Sequence, residues 1–135
     1  MFDHVGFSVA DLSRSRAFYV AALAPLGFGV VMDLTKEQTG GYAGTGFGPP
    51  GHPQLWIGNG PDRGGSTHIA FTAGSRAAVD AFYKAAMAAG GRDNGAPGLR
   101  PHYHANYYGA FVFDPDGHNI EAVCHARNKE SFDAD

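Results

Sequence analysis

Two short stretches of the chain alternate apolar and polar residues with the period of a β-strand. In residues 4–9 the apolar side chains fall on one face and His4 falls on the other. Residues 68–72 repeat the arrangement, again with a histidine, His68, on the polar face. Each stretch therefore predicts a half-buried strand whose polar face carries an imidazole.

A helical pattern follows each of these strands. Residues 12–24 carry apolar side chains at helical spacing, and Gly27 beyond them is typical of a helix end. Residues 75–89 have a similar pattern, which starts at Ser75, a favoured N-cap residue, and stops at Gly90. The chain therefore begins each half with a strand and a helix.

Further strands are predicted after each helix. Three follow the first helix and two follow the second, at residues 28–33, 42–47, 53–57, 108–113 and 118–124. The Asp-Pro-Asp-Gly sequence of residues 114–117 is a strong turn signal between the last two strands. Residues 92–107 show no clear pattern, and a strand is inferred there only because the two halves of the chain match.

The match between the halves is direct. Aligning His4 with His68 also aligns residues 17–19 with residues 81–83, which read Ala-Phe-Tyr in both places. We therefore predict an α+β fold of two βαβββ modules, with a cup-shaped, mainly antiparallel mixed sheet and the helices outside. The predicted organisation is one domain over residues 1–128, made of modules 1–62 and 63–128, followed by a tail at 129–135.

Composition and charge narrow the class of protein. Of 135 residues, 44% are hydrophobic and 17% are charged, which is enough apolar material for a packed core. A net charge of −3 without a basic stripe argues against a nucleic-acid partner. One cysteine excludes an intrachain disulfide, and the sequence shows neither a leader nor a membrane-spanning apolar run. We therefore expect a cytoplasmic protein without a membrane partner.

Strand parity sends several polar side chains to the face that carries the two histidines. His4, His68 and Glu121 share this face, together with Gln54 and Trp56. Two imidazoles and one carboxylate suit a divalent cation and leave positions open for a substrate. The alternative is that these residues are ordinary polar groups on a solvated sheet face.

A second group of candidates lies just before residues 108–113. Glycine and proline in residues 93–98 predict a shaped loop, and a run rich in rings follows it. Aromatic walls and a guanidinium suit a small-molecule pocket, and imidazoles suit proton transfer. The candidates here are Arg100, Tyr103 and Tyr107 for substrate binding and His102 and His104 for catalysis. Trp56 and Gln54 on the sheet face are further candidates for substrate binding. The alternative is that the tyrosines start a strand and the histidines are surface groups.

Three sequence motifs resemble those of the vicinal oxygen chelate superfamily, which includes glyoxalase I, extradiol dioxygenases, fosfomycin-resistance transferases and bleomycin-resistance proteins. They are DHVGFSVADLSRSRAFY near the start, THIAFTA in the middle and FVFDPDGHNIEAV near the end. The chain looks most like the uncharacterised glyoxalase-like proteins of bacteria. The resemblance implies two edge-joined modules that form a cup, commonly in a homodimer. Two arrangements are open: the cup is built within one chain or between two.

The resemblance also implies a divalent metal ion, Zn, Ni, Mn or Fe, on His4, His68 and Glu121. Glyoxalase I enzymes place a glutamate, a fourth ligand, on the last strand of the first module; here Trp56 is the nearest match, with Gln54 two residues away. The implied function is a metal-dependent lyase, isomerase or dioxygenase acting on a small oxygen-chelating substrate. The alternative is a metal-free protein that binds a small molecule or antibiotic, as bleomycin-resistance proteins do.

Overall fold

A computed structural model describes residues 2–61 and 67–127. The first half contains β1 (Val5–Ser8), α1 (Leu12–Leu23), β2 (Gly29–Leu34), α2 (Lys36–Thr39), β3 (Gly44–Gly48) and β4 (Leu55–Gly58). The second half contains β5 (His68–Thr72), α3 (Arg76–Ala88), β6 (Arg92–Leu99), β7 (Tyr108–Phe113) and β8 (Asn119–Cys124). The predicted module boundary at 62/63 and the predicted tail lie outside the described residues. Within those residues, no helix has the length and apolar character needed to span a membrane.

Each half forms a four-stranded mixed sheet. The strand order is β1-β4-β3-β2 in the first half and β5-β8-β7-β6 in the second. In both sheets the first strand pairs in parallel with the last, and the other neighbours are antiparallel. The predicted α+β fold of two βαβββ modules is therefore confirmed. Among the strands that the structure describes, the sheets do not close into a barrel.

The strand that the sequence left obscure is β6. Its register against β7 shifts between Asp93 and Gly95 and again between Gly95 and Gly98. Gly95 has a φ of 148°, in the region that favours glycine. Irregular pairing of this kind interrupts the two-residue alternation by which a strand is recognised, so the sequence pattern of β6 is hidden.

Helices pack against one face of each sheet. Asp11 caps α1 by accepting from the N–H of Arg14 at 3.1 Å, and Ser75 caps α3 by accepting from the N–H of Ala78 at 3.0 Å. The two helices contact each other and share one core. We call the sheet face opposite the helices the open face; it carries Gly6 and Trp56 in the first module and His68, Ala70 and Glu121 in the second.

The turn between β7 and β8 joins the two modules. Asp116 accepts hydrogen bonds from the N–H of Ala10 and the hydroxyl of Ser15, both at 3.3 Å, at the start of α1. Asp114 accepts a 2.6 Å hydrogen bond from the hydroxyl of Tyr19, and both side chains are buried. These contacts hold the start of β8 against the first module.

Candidate metal centre

The open face of the second sheet brings His68 and Glu121 together. β5 and β8 are parallel neighbours, and Ala70 on β5 pairs with Glu121 on β8. Nε2 of His68 lies 3.3 Å from Oε1 of Glu121. Glu121 is only 2% exposed, and a carboxylate buried to this extent is costly unless other groups compensate its charge.

A backbone contact determines which nitrogen of His68 carries hydrogen. Its Nδ1 lies 3.1 Å from the carbonyl oxygen of Asn119, which can only accept, so Nδ1 is the donor. In the neutral ring, Nε2 is then a lone pair that faces Oε1 of Glu121, also an acceptor when ionised. Two facing acceptors repel unless a proton or a cation lies between them. An imidazole held through Nδ1 by a carbonyl is the usual state of a metal ligand. Nε2 of His68 and Oε1 of Glu121 therefore fit a divalent cation as its ligands.

Tyr107 binds the other oxygen of Glu121. Its hydroxyl donates a hydrogen bond to Oε2. Burial, followed by this bond, raises the pKa of Tyr107 well above its ordinary value, so the hydroxyl remains a donor near neutral pH. The ring of Tyr103 packs on Tyr107 at 4.7 Å, and the ring of His102 packs on Tyr103 at 4.2 Å. A residue predicted to bind substrate thus touches a predicted metal ligand directly.

His4 lies apart from this pair. Its Nδ1 is 2.6 Å from Oδ1 of Asp3, and both side chains are exposed. Across residues 2–61 and 67–127, no group of three or more His, Cys, Asp or Glu side chains is arranged to hold a metal ion. His4 and His68 nevertheless line one cleft of about 470 Å³. The predicted three-ligand set therefore does not assemble within the described part of one chain and stays a prediction.

Trp56 occupies the position in the first module that Glu121 occupies in the second. Trp56 on β4 pairs with Gly6, and Glu121 on β8 pairs with Ala70 at the equivalent register. The position at which glyoxalase I enzymes have a glutamate as the fourth metal ligand therefore holds an indole in this chain. Gln54, two residues earlier, is exposed and lines the cleft.

Glycines leave space for two aromatic rings on the open face of the first sheet. A Cβ added at Gly46 would lie 2.8 Å from the ring of Trp56. A Cβ at Gly44 or Gly58 would collide with the ring of Tyr42. Both rings are half-buried. The first module therefore presents an aromatic surface where the second presents a carboxylate and an imidazole.

An imidazole pair lies beside Tyr107. The N–H of Asn106 donates to Nδ1 of His104 at 3.0 Å, so in the neutral ring the hydrogen of His104 is on Nε2. That nitrogen lies 2.7 Å from Nδ1 of His125 and donates to it. The ring of Tyr107 packs edge-on against His104 and His125, with centroids 5.6 and 5.3 Å away. Both ring nitrogens of His104 are therefore engaged.

Arg100 is tied to the irregular strand β6. Its guanidinium donates to the carbonyls of Gly98 at 2.9 Å and Ala96 at 2.8 Å. It also lies over the ring of Phe111, 5.4 Å from the centroid. Its positive charge acts to lower the pKa of Tyr107, although burial outweighs this effect. Arg100 thus supports the strand and brings positive charge to the Tyr107 side of the site.

Comparison with known proteins identifies the family. A model described as the Glyoxalase/Bleomycin resistance protein/Dioxygenase superfamily matches residues 1–122. The chain belongs to this superfamily. The resemblance seen in the sequence motifs is therefore confirmed, and a search of curated proteins found no match.

Solved structures similar to this superfamily member include two proteins described as glyoxalases and one fosfomycin resistance protein. A glyoxalase/bleomycin resistance protein from Albidiferax ferrireducens T118 is 30% identical, with 92% of this chain and 98% of that chain covered and a TM-score of 0.73. A putative glyoxalase from Bacillus halodurans is 25% identical, with 92% and 95% covered and a TM-score of 0.65. The fosfomycin resistance protein FosX from Listeria monocytogenes, in a complex with Mn(II), is 17% identical, with 96% and 93% covered and a TM-score of 0.66, and shares the fold.

Two aromatic residues described above, Tyr42 and His125, were not predicted from the sequence to belong to the site. Tyr42 lies just before β3, and its signal was the glycine at alternate positions of β3 and at Gly58 of β4. His125 directly follows β8, where the parity of Glu121 continues, and this parity could have placed it on the open face. Of the predicted site residues, His68 and Tyr107 both contact Glu121. Tyr103 and His104 pack on Tyr107.

Proposed function

We propose that the protein is a metal-dependent enzyme of the lyase, isomerase or dioxygenase type that acts on a small substrate with oxygens on adjacent atoms. The observation that carries the proposal is the pair of acceptors, Nε2 of His68 and Oε1 of Glu121, which face each other across 3.3 Å. A divalent ion, Zn, Ni, Mn or Fe, bound there would supply Lewis-acid polarisation of the substrate oxygens.

The chain's own residues would orient the substrate and move its proton. Tyr103 and Arg100 lie beside Tyr107, where a ring and a positive charge suit a small oxygen-rich anion. We propose His102 and His104 as bases. His104 would have to release the N–H of Asn106 before its Nδ1 could accept a proton.

Metal binding by the purified protein tests the centre. We expect stoichiometric binding of Ni²⁺ or Zn²⁺ by calorimetry, and a loss of about tenfold or more in affinity for Glu121→Gln and His68→Ala. His52→Ala, which removes an exposed histidine between β3 and β4, is the matched control and should bind as the wild type does. A wild-type protein that binds no divalent ion, or a Glu121→Gln variant that binds normally, would contradict the proposal.

His4 is proposed as a third ligand that comes from a second copy of the chain. Within the described residues, the outer edges of β1 and β5 have no strand partner, and apolar side chains on both strands are half-buried. A homodimer that placed β1 of one copy beside β5 of the other would cover these edges. The test mixes His4→Ala and Glu121→Gln variants, each defective alone. Restored metal binding after subunit exchange supports a site between copies, whereas no restoration places the site within one chain or removes His4 from it.

A metal-free binding protein is the second candidate, and the open face of the first module favours it. Trp56 and Tyr42 offer half-buried rings to a planar ligand, as an aromatic stacking surface would. Titrating the protein with aromatic compounds in the presence of EDTA, with Trp56 fluorescence as the readout, separates the two functions. Saturable quenching without metal supports binding alone; quenching only in metal-loaded protein supports the enzyme.

A further inference from the structure

The two oxygens of Glu121 have different partners. Oε1 faces the nitrogen of His68, whereas Oε2 accepts the hydroxyl of Tyr107. A carboxylate that binds a cation through both oxygens uses a lone pair of each, and here the hydroxyl of Tyr107 already occupies one of the two lone pairs of Oε2. The surroundings of Glu121 are therefore unequal before any ion binds.

The ring of Tyr107 is held in place from several sides. Tyr103 packs on it at 4.7 Å, and the imidazoles of His104 and His125 pack edge-on against it. Loss of the hydroxyl alone would leave these ring contacts intact. The hydroxyl is consequently a fixed donor aimed at Oε2 of Glu121, and it can be removed without removing the wall that carries it.

We propose that Tyr107 is a positioning residue that restricts Glu121 to ligation through Oε1 and thereby sets which cations the centre accepts; this inference rests on the proposed metal centre. Large oxygen-seeking ions such as Ca²⁺ take six to eight ligands and commonly use both carboxylate oxygens. Ni²⁺ and Zn²⁺ accept imidazole and fewer ligands. A Glu121 limited to one oxygen therefore selects Ni²⁺ or Zn²⁺ over Ca²⁺.

The test compares Tyr107→Phe with Tyr108→Phe. Tyr108 is the matched control because its hydroxyl also donates to a carboxylate, that of Asp80 at 2.6 Å, on the other side of the sheet from Glu121. Calorimetry with Ni²⁺ and Ca²⁺ should show that Tyr107→Phe weakens Ni²⁺ binding about tenfold to hundredfold, with no matching loss for Ca²⁺. In Tyr107→Phe, Glu121 would ligate through both oxygens and raise the coordination number of bound Co²⁺. The visible absorption of the Co²⁺-loaded variant should therefore be weaker than that of the wild type. Tyr108→Phe should change neither.

A second measurement does not need metal. In the metal-free protein, the carboxyl ¹³C signal of Glu121 should shift in Tyr107→Phe and stay in place in Tyr108→Phe. An unshifted signal in both overturns the inference, as does a Tyr107→Phe variant with the Ni²⁺ affinity, Ca²⁺ affinity and Co²⁺ spectrum of the control. If the wild type binds no Ni²⁺ or Co²⁺, the metal centre fails and this inference fails with it. Normal wild-type binding with no difference between the variants refutes this inference alone.

Discussion

Replacing Tyr19 with phenylalanine should destabilise the protein, although the change removes one oxygen atom. The hydroxyl donates a 2.6 Å hydrogen bond to Oδ2 of Asp114, and the two residues are 0% and 1% exposed. The N–H groups of Asp116 and His118 hold the other oxygen, Oδ1. Burial, and then the charge of Asp114, raises the pKa of Tyr19 well above its ordinary value, so the hydroxyl stays protonated near neutral pH.

The size of the effect follows from the charge and burial of Asp114. A hydrogen bond to a charged group contributes about 1.5–3 kcal/mol, and Oδ2 would be left buried without this donor. We expect Tyr19→Phe to lower the free energy of unfolding by about 2–3 kcal/mol. In a domain of this size that corresponds to a fall in Tm of roughly 6–15 °C. Urea unfolding followed by circular dichroism would measure it, with an unchanged slope on denaturant.

Tyr83→Phe provides the control. Its hydroxyl also donates to a carboxylate, that of Asp93 at 3.0 Å, but in an exposed setting. Because water can replace that bond, the unfolding midpoint should hardly move. Equal effects of the two substitutions would refute the reasoning, since burial at the module junction would then make no difference.

Two further predictions concern the first module. Gly46→Ala should move the ring of Trp56, the single tryptophan of the chain, shift its emission and cost about 1–3 kcal/mol of stability. Gly29→Ala, where a Cβ meets open space, should do neither, and equal effects would contradict the steric argument. The hydrogen bond from Arg16 lowers the pKa of Asp33. The ion pair therefore stabilises the fold fully above about pH 3.8, the ordinary pKa of Asp33. This stabilisation is lost as the pH falls through the lower pKa that Asp33 has in the folded protein. Acid unfolding of wild type and Asp33→Asn should therefore diverge above this range and converge below it; parallel curves would exclude the effect.

Strong periodicity made much of the fold predictable. A helix was expected over residues 12–24 and is found at Leu12–Leu23, and a strand was expected and found at Tyr108–Phe113. α2 was not predicted, because its four residues span little more than one helical turn and show no repeat. It depends instead on a capping box, in which Thr35 and Gln38 exchange hydrogen bonds with each other's backbone.

The candidate site was predictable only where it follows from strand pairing. The βαβββ order makes β5 and β8 neighbours, so parity alone places His68 and Glu121 on the same face. The position of His4 depends on how the two sheets, or two copies of the chain, approach each other, and no strand pattern contains that information. The hydrogen bond from Tyr107 to Glu121 was also hidden, because the residues before Tyr107 form irregular turns whose course a periodicity cannot describe.

The matching positions of Trp56 and Glu121 have a consequence for recognition. The two halves have the same strand arrangement, yet the first carries the indole of Trp56 at the position where the second carries the carboxylate of Glu121. A site built from two identical modules would bind an asymmetric ligand in two opposite orientations of equal energy. In the proposed site this difference would remove the degeneracy: the apolar part of the substrate would lie toward Trp56 and its oxygens toward Glu121, so one pose would be favoured.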